Sequence, residues 1–294
     1  VRWSSSSPTP ELDRQLAWLL LAPALLLLGV FVLWPMAYLI YLSFTTGSFT
    51  RAGIHWHGLR NYSRLLQDED FWQVMGNTLY FTLATVIPSL AIPLALAVWL
   101  NPAGAVRTLL RTAYFIPAIT SLVAVGLGFR WLFQNQGPVN QLLMALGGEA
   151  IPWLSSPVWA MPVLIGLSVW KQLGFNLVVF LAGLQAIPRT RYEAAELDGA
   201  GPWQQFWHIT LPGLRPTLVF AAVTTAIFTL RSFEQVYVIT GGGPLNSTNI
   251  LVFYSYEQAF GQFDLGYAAA IATVLMLIAL GLIYAQLRFW GKDT

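Results

Sequence analysis

The stretch YEAAELDGAGPWQQFWHITLP, Tyr192 to Pro212, sits between two of the most apolar runs of a 294-residue chain. It holds three acids, two Gly around an Ala, and a closing Leu-Pro, in a sequence that is 56% hydrophobic and 10% charged. A soluble domain carries about 25% charged residues. With 13 Trp and a mean hydropathy of +0.60, the chain reads instead as embedded in a bilayer. Where Tyr192 to Pro212 lies relative to that bilayer then becomes the question.

Crossing roughly 30 Å of hydrocarbon takes about 20 apolar residues as helix. Six runs are long enough: about 17–42, 75–100, 108–133, 158–184, 216–240 and 266–290. An even number puts both termini on one side. Basic residues are retained on the cytoplasmic side, and Arg2, Arg14, Arg107, Arg111, Arg189, Arg191, Arg215, Arg288 and Lys292 all fall there when the N-terminus is inside. The opposite loops hold Arg51, Arg60 and Arg64 in the first, and no Lys or Arg at about 134–157 and 241–265. Both termini and Tyr192 to Pro212 are therefore expected in the cytoplasm.

The net charge of +2 reflects this asymmetry and gives no footprint for nucleic acid. The first apolar run is too long for a signal-peptide core and lacks a cleavage pattern, so it reads as a span. Zero Cys excludes disulfides, thiolate metal sites and Cys nucleophiles. Residues 1–16, with Ser4 to Ser7 and two Pro, read as a flexible tail, and 17–294 as one all-α transmembrane domain.

Within the cytoplasmic segment 189–212, Arg189 to Leu197 can form a short helix after Pro188. Gly199-Ala200-Gly201 allows a turn, Pro202 suits the first position of a second helix, and Pro212 is expected to end it. Physics alone leaves two readings open: an ordinary loop on the headgroups, or a helix-turn-helix knob that docks onto something. Glu193-Ala194-Ala195, Gly199 six residues after the Glu, Ile209 and Leu211-Pro212 resemble the EAA signature of membrane subunits of binding-protein-dependent ABC importers. VWKQLGFNLVVFLAGLQAIPRTRYEAA before it, with SFEQVYVITGGGPLNST and YEQAFGQFDLGYAAA after it, are similar to sugar-type permeases of the maltose and glycerol-3-phosphate group.

The resemblance implies a type I importer transmembrane domain in the bacterial inner membrane. Its implied partners are a second homologous permease, two copies of an ABC ATPase and an extracytoplasmic solute-binding protein. Glu193, Ala194, Ala195, Gly199 and Ala200 would dock on the ATPase. The chain itself has no G-x-x-x-x-G-K-[ST] phosphate loop, so no cofactor is expected in it, and ATP and Mg would belong to the ATPase. Without the resemblance, a stand-alone secondary transporter or channel stays open. No catalytic constellation stands out, and His55-x-His57 lacks the further ligand a metal would need.

Polar residues inside a membrane are expensive and tend to face a pathway or each other. Trp170, Lys171, Gln172, Phe175 and Asn176 lie in the fourth run, and Thr225, Phe228, Thr229, Arg231, Ser232 and Glu234 in the fifth. Aromatic faces beside hydrogen-bonding groups suit a hydroxyl-rich solute. Arg231 and Glu234 could equally form a local ion pair, and the Thr residues could bond their own backbone. The resemblance places sugar-contacting positions at Gln172, Phe175, Thr225, Phe228 and Thr229.

Overall fold

The computed structural model describes residues 10–48, 51–102 and 104–290. Of the tail expected over 1–16, residues 1–9 lie outside the described residues, and helix α1 already begins at Pro10 (Pro10–Leu28). One π turn carries α1 into α2 (Trp34–Ser43). The chain then forms a hairpin that the all-α expectation missed, β1 (Thr45–Ser48) against β2 (Arg51–Trp56), antiparallel with Thr45 opposite Trp56. It is anchored from below, where buried Asn61 donates to Ser43 O at 2.9 Å and Thr45 O at 2.8 Å.

After α3 (Arg60–Gln67) comes α4 (Glu69–Leu100), which starts six residues before the expected apolar run. The reason is its cap: Asp68 Oδ1 accepts from Asp70 N–H at 3.0 Å, and Glu69 and Asp70 add acids to the first turn. The third run is not one helix. It is α5 (Ala105–Ile119) and α6 (Leu122–Leu132), bent by 95° across extended Thr120 and Ser121. Pro117, with no N–H to give, weakens the last turn of α5 just before that bend.

A short α7 (Pro138–Ala145) precedes α8 (Ala160–Ala186), half of whose most apolar window is buried. Then come α9 (Arg189–Leu197), α10 (Pro202–Gln205) and, through a π turn, α11 (Leu211–Gly213). Pro212 does not end this second short helix as expected. The π turn lets Leu211 N–H reach Phe206 O, Pro212 takes an early position in α11, and the chain bends by 66° only at Leu214. The fifth run is also broken, into α12 (Arg215–Leu230) and α13 (Phe233–Ile239). Helix α14 (Leu251–Tyr256) leads by another π turn to α15 (Leu265–Trp290).

Among the described residues four helical stretches are long and apolar enough to cross a membrane, and six if each bent pair counts as one span. The core is layered along them. Phe71, Val74, Tyr267 and Ile271 pack at the hairpin end, Phe81, Leu164, Leu167 and Val236 in the middle, and Leu100, Leu177, Phe180 and Leu214 at the Tyr192 end. None of the most apolar window of Ala17–Ser43 is buried within the chain. Helix α2 packs on α15, and α1 stands beyond it as an exposed arm.

Candidate functional site

Three places gather polar residues. The first is a cavity of about 580 Å³ between α8, the α5–α6 bend and the α12–α13 break. Lys171, Gln172 and Phe175 reach it from α8, and Phe228, Arg231, Ser232 and Glu234 from the break. Phe175 and Phe228 meet edge to face, with ring centroids 5.7 Å apart. Arg231 and Glu234 line the cavity without an ion pair between them, whereas Arg64 pairs with Asp264 at 2.6 Å at the hairpin end.

Four of the anticipated residues lie elsewhere. Trp170 packs beside Phe129, with centroids 6.0 Å apart. Asn176, Thr225 and Thr229 are fully buried and tie helices together. Asn176 Nδ2 donates to Ser89 O at 2.7 Å and Thr225 Oγ1 at 3.0 Å, while Gln172 Nε2 donates to Thr229 Oγ1 at 3.3 Å. This seam joins α4, α8 and α12 behind the cavity wall.

Lys171 is held in a way no hydropathy reading suggests. Its ammonium donates to Pro117 O at 2.7 Å, to Ala118 O at 3.3 Å and to Thr120 O. These are carbonyls at the end of α5, where the bend breaks the regular ladder and Pro117 O keeps only the Thr120 N–H, at 3.4 Å, and the Thr120 hydroxyl, at 2.8 Å, from its own segment. A Lys at the centre of a membrane helix costs about 3 kcal/mol on insertion scales, and carbonyls at the negative end of a helix offset that cost.

The sequence reading missed the wall opposite α8, made by Phe115, Ala118, Ile119 and Leu122. Its one visible signal is Pro117 followed closely by Thr120-Ser121 in an apolar run. It also missed Gln235, buried and donating to Ser168 Oγ at 2.8 Å.

The second place is the knob of α9 to α11. Gly199, at φ +79°, stands just past the end of α9. Its N–H bonds Glu196 O at 3.0 Å, and Ala200 N–H bonds Ala195 O at 2.8 Å, the paired closure of a Schellman motif. Gly201 N–H then bonds Gln204 Oε1 at 3.0 Å and opens α10. Tyr192 OH and Thr210 Oγ1, 2.9 Å apart, lock the two arms, and Tyr192 and Ile209 pack on the core. Glu193, Ala194 and Gly199 are exposed, with Ala195 and Ala200 half-buried. Leu197 is 90% and Trp203 71% exposed, an apolar tip with no cover in this chain.

The third place is a polar groove of about 810 Å³ at the hairpin end. Asp68 Oδ2 accepts from Tyr254 OH at 2.8 Å and from Tyr267 OH, and the Arg64 guanidinium sits 4.0 Å over the Tyr267 ring. Burial works to raise the Asp68 carboxyl, but the two Tyr hydroxyls and the Phe71 and Asp70 N–H groups outweigh it and hold it below the usual carboxylate value. Burial, and then the Asp68 carboxylate, push the Tyr254 phenol up. Near the hairpin, His57 Nε2 lies 2.6 Å from Arg60 Nη1, and among the described residues no cluster of three or more His, Cys, Asp or Glu could hold a metal.

Residues 78–290 match the family described as binding-protein-dependent transport system inner membrane component. The chain belongs to that family. It is 39% identical over 279 residues, covering 94% of this chain and 90% of the relative, to the sulfoquinovosyl glycerol transport system permease protein SmoG of Agrobacterium fabrum. The lactose transport system permease protein LacF of Rhizobium radiobacter is 38% identical, covering 92% of each.

Among solved structures, a chain of a bacterial alginate ABC transporter, crystallised with an alginate pentasaccharide-bound periplasmic protein, superposes with a TM-score of 0.79 at 25% identity. The match covers 94% of both chains. The fold is that of a type I importer transmembrane domain, and the chain is a membrane-spanning permease subunit of this importer family. Family membership sets aside the stand-alone carrier, and a transporter subunit of this family is not itself an enzyme.

Proposed function

We propose that this permease forms half of the membrane pathway of an ATP-driven importer for a sugar or sugar-like polyhydroxyl solute, such as a disaccharide, glycosylated osmolyte, polyol or glycerol phosphate. A solute-binding protein delivers the solute at the hairpin end. A second homologous permease completes the pathway, and two separate ATPase subunits, which hold ATP and Mg, drive it. The chain sits in the bacterial inner membrane with both termini cytoplasmic, in keeping with the Arg and Lys asymmetry.

The observation that carries this reading is the knob. Its backbone is closed by its own hydrogen bonds, its base is locked to the core, and yet it presents Leu197, Trp203, Glu193 and Ala194 uncovered. A rigid projection with an apolar tip suits transmission of force from a docked ATPase. Glu193, Ala194, Ala195, Gly199 and Ala200 form its contact surface. The first span supports a partner permease: α2 packs on α15, but the most apolar window of the span is unburied in this chain and can lie along another. The cavity supports the solute class: the Phe175 and Phe228 rings suit sugar CH faces, and Gln172, Ser232, Arg231 and Glu234 suit hydroxyls.

The test is mild-detergent purification of the tagged chain from native membranes, with and without Glu193→Arg. The parent should bring down a second permease and a Walker-motif ATPase. Glu193→Arg should keep the permease and lose most of the ATPase and of solute-stimulated ATP hydrolysis. A chain that purifies alone and still transports would overturn the reading.

A further inference from the structure

We infer that Lys171 is a positioning residue: it pins the α5–α6 bend against α8 and so sets the far wall of the cavity, rather than offering its charge to the solute. The inference rests on the reading of that cavity as part of the solute pathway.

An ammonium has three N–H donors and no acceptor. All three donors of Lys171 have backbone partners: the carbonyls of Pro117, Ala118 and Thr120. Nothing remains to bind a solute anion without first releasing the bend. Pro117 O also accepts from Thr120 Oγ1 at 2.8 Å, whereas the ammonium is the donor that ties this helix end to α8.

A second observation places the helix end where Lys171 can reach it. Gly174 follows three residues later on the same side of α8. A Cβ at Gly174 would stand 2.6 Å from Tyr114 O and 2.8 Å from Phe115 Cα. Helix α5 therefore lies directly on the backbone of α8. Close approach at Gly174 and charge at Lys171 act as two fasteners one turn apart.

Between them they decide the shape of the cavity. Phe115, Ala118 and Ile119 precede the bend and Leu122 follows it, and all four line the cavity across from Gln172 and Phe175. If the bend moves, this wall moves. With Lys171 engaged, the side-chain charges left in this half of the cavity are Arg231 and Glu234, one of each sign. Discrimination between neutral and anionic solutes then does not pass through Lys171.

The chain has no Cys, so Ile119→Cys places its one thiol on the movable wall. The complete importer in membranes is labelled with a water-soluble maleimide, without solute or ATP, in chains carrying Lys171, Lys171→Arg or Lys171→Met. Lys171→Met should change the labelling rate several-fold, and Lys171→Arg, which keeps cation and donors, should return it toward the parent value. Equal rates in the Met variant and the parent would overturn the inference. Lys171→Leu, which likewise has no donor, replaces Met if the latter does not reach the membrane, with the same equality counting against it.

A solute counter-charge would behave differently, leaving labelling unchanged and shifting the apparent KM of anionic solutes alone. Because labelling is read without transport, the pin is tested apart from the importer reading. A changed labelling rate with import and ATP hydrolysis untouched would support the pin and count against the cavity as pathway.

Discussion

Two helix pairs in this permease are sharply bent, and they solve the same problem in different ways. At Thr120–Ser121 the bend is 95° and falls within an apolar run; the freed carbonyls are taken up by a lysine from another helix. At Leu214 the bend is 66° and falls where the knob joins α12; there the backbone serves itself, with Leu214 N–H on Thr210 O at 2.9 Å and Leu218 N–H on Leu214 O at 2.8 Å. Leu214 itself is fully buried. The sharper break draws on a donor from another helix beside its own backbone bonds, whereas the milder one is closed by backbone alone. The first bend therefore depends on tertiary contact far more than the second.

Glycine substitutions sharpen that contrast. The largest effect is expected from Gly174→Ala, because the new methyl meets backbone of α5, which cannot swing aside. Thermal unfolding of the purified complex, followed by Trp fluorescence, should fall by the equivalent of about 1–3 kcal/mol. An unchanged midpoint would mean that α5 does not rest on α8 as described.

Next comes Gly199→Ala in the knob. Space around it is open, but φ is +79°, so the strain is of the backbone alone, about 1–2 kcal/mol. The midpoint should fall less than for Gly174→Ala, while ATP hydrolysis coupled to solute should fall more. The reverse ordering would undo the assignment of Gly199 to a coupling turn.

The smallest effect belongs beside the second bend. A Cβ at Gly183 would come 2.6 Å from Thr217 Oγ1 and 2.8 Å from Leu214 Cδ2. Thr217 Cγ2 follows at 2.9 Å, so side chains rather than backbone must shift, and Gly183→Ala should cost about 1 kcal/mol, the low end for overpacking. A loss equal to that of Gly174→Ala, measured in the same way, would erase the difference between the bends.

The knob was largely legible in the sequence because its signals are local. A Gly at the end of a helix, a Pro at the start of the next, and three acids in a greasy chain each act within a few residues. The number of apolar runs was legible for the same reason. The breaks were not. Averaged hydropathy treats Pro117 to Ser121 and Leu230 to Phe233 as minor dips, and what opens a helix there is whether another element can fill its carbonyls. Lys171 shows the limit: the sequence places a charge at mid-depth, but only the fold brings Pro117, Ala118 and Thr120 to it. Likewise Asn176, Thr225 and Thr229 look like pathway polarity in one dimension and form a buried seam in three. The hairpin after α2 escaped notice because Asn61, sixteen residues beyond Thr45, is what holds it.

The first span carries a different lesson, about the life of the chain before it functions. Ala17–Ser43 is synthesised before the helices that follow it, and its most apolar window finds no burial among them. In water such a surface would force rapid collapse or aggregation, but lipid tails are as apolar as leucine, so the arm loses little by waiting among them. Any helix that docks on it within the bilayer is selected by shape and close packing rather than by hydrophobicity.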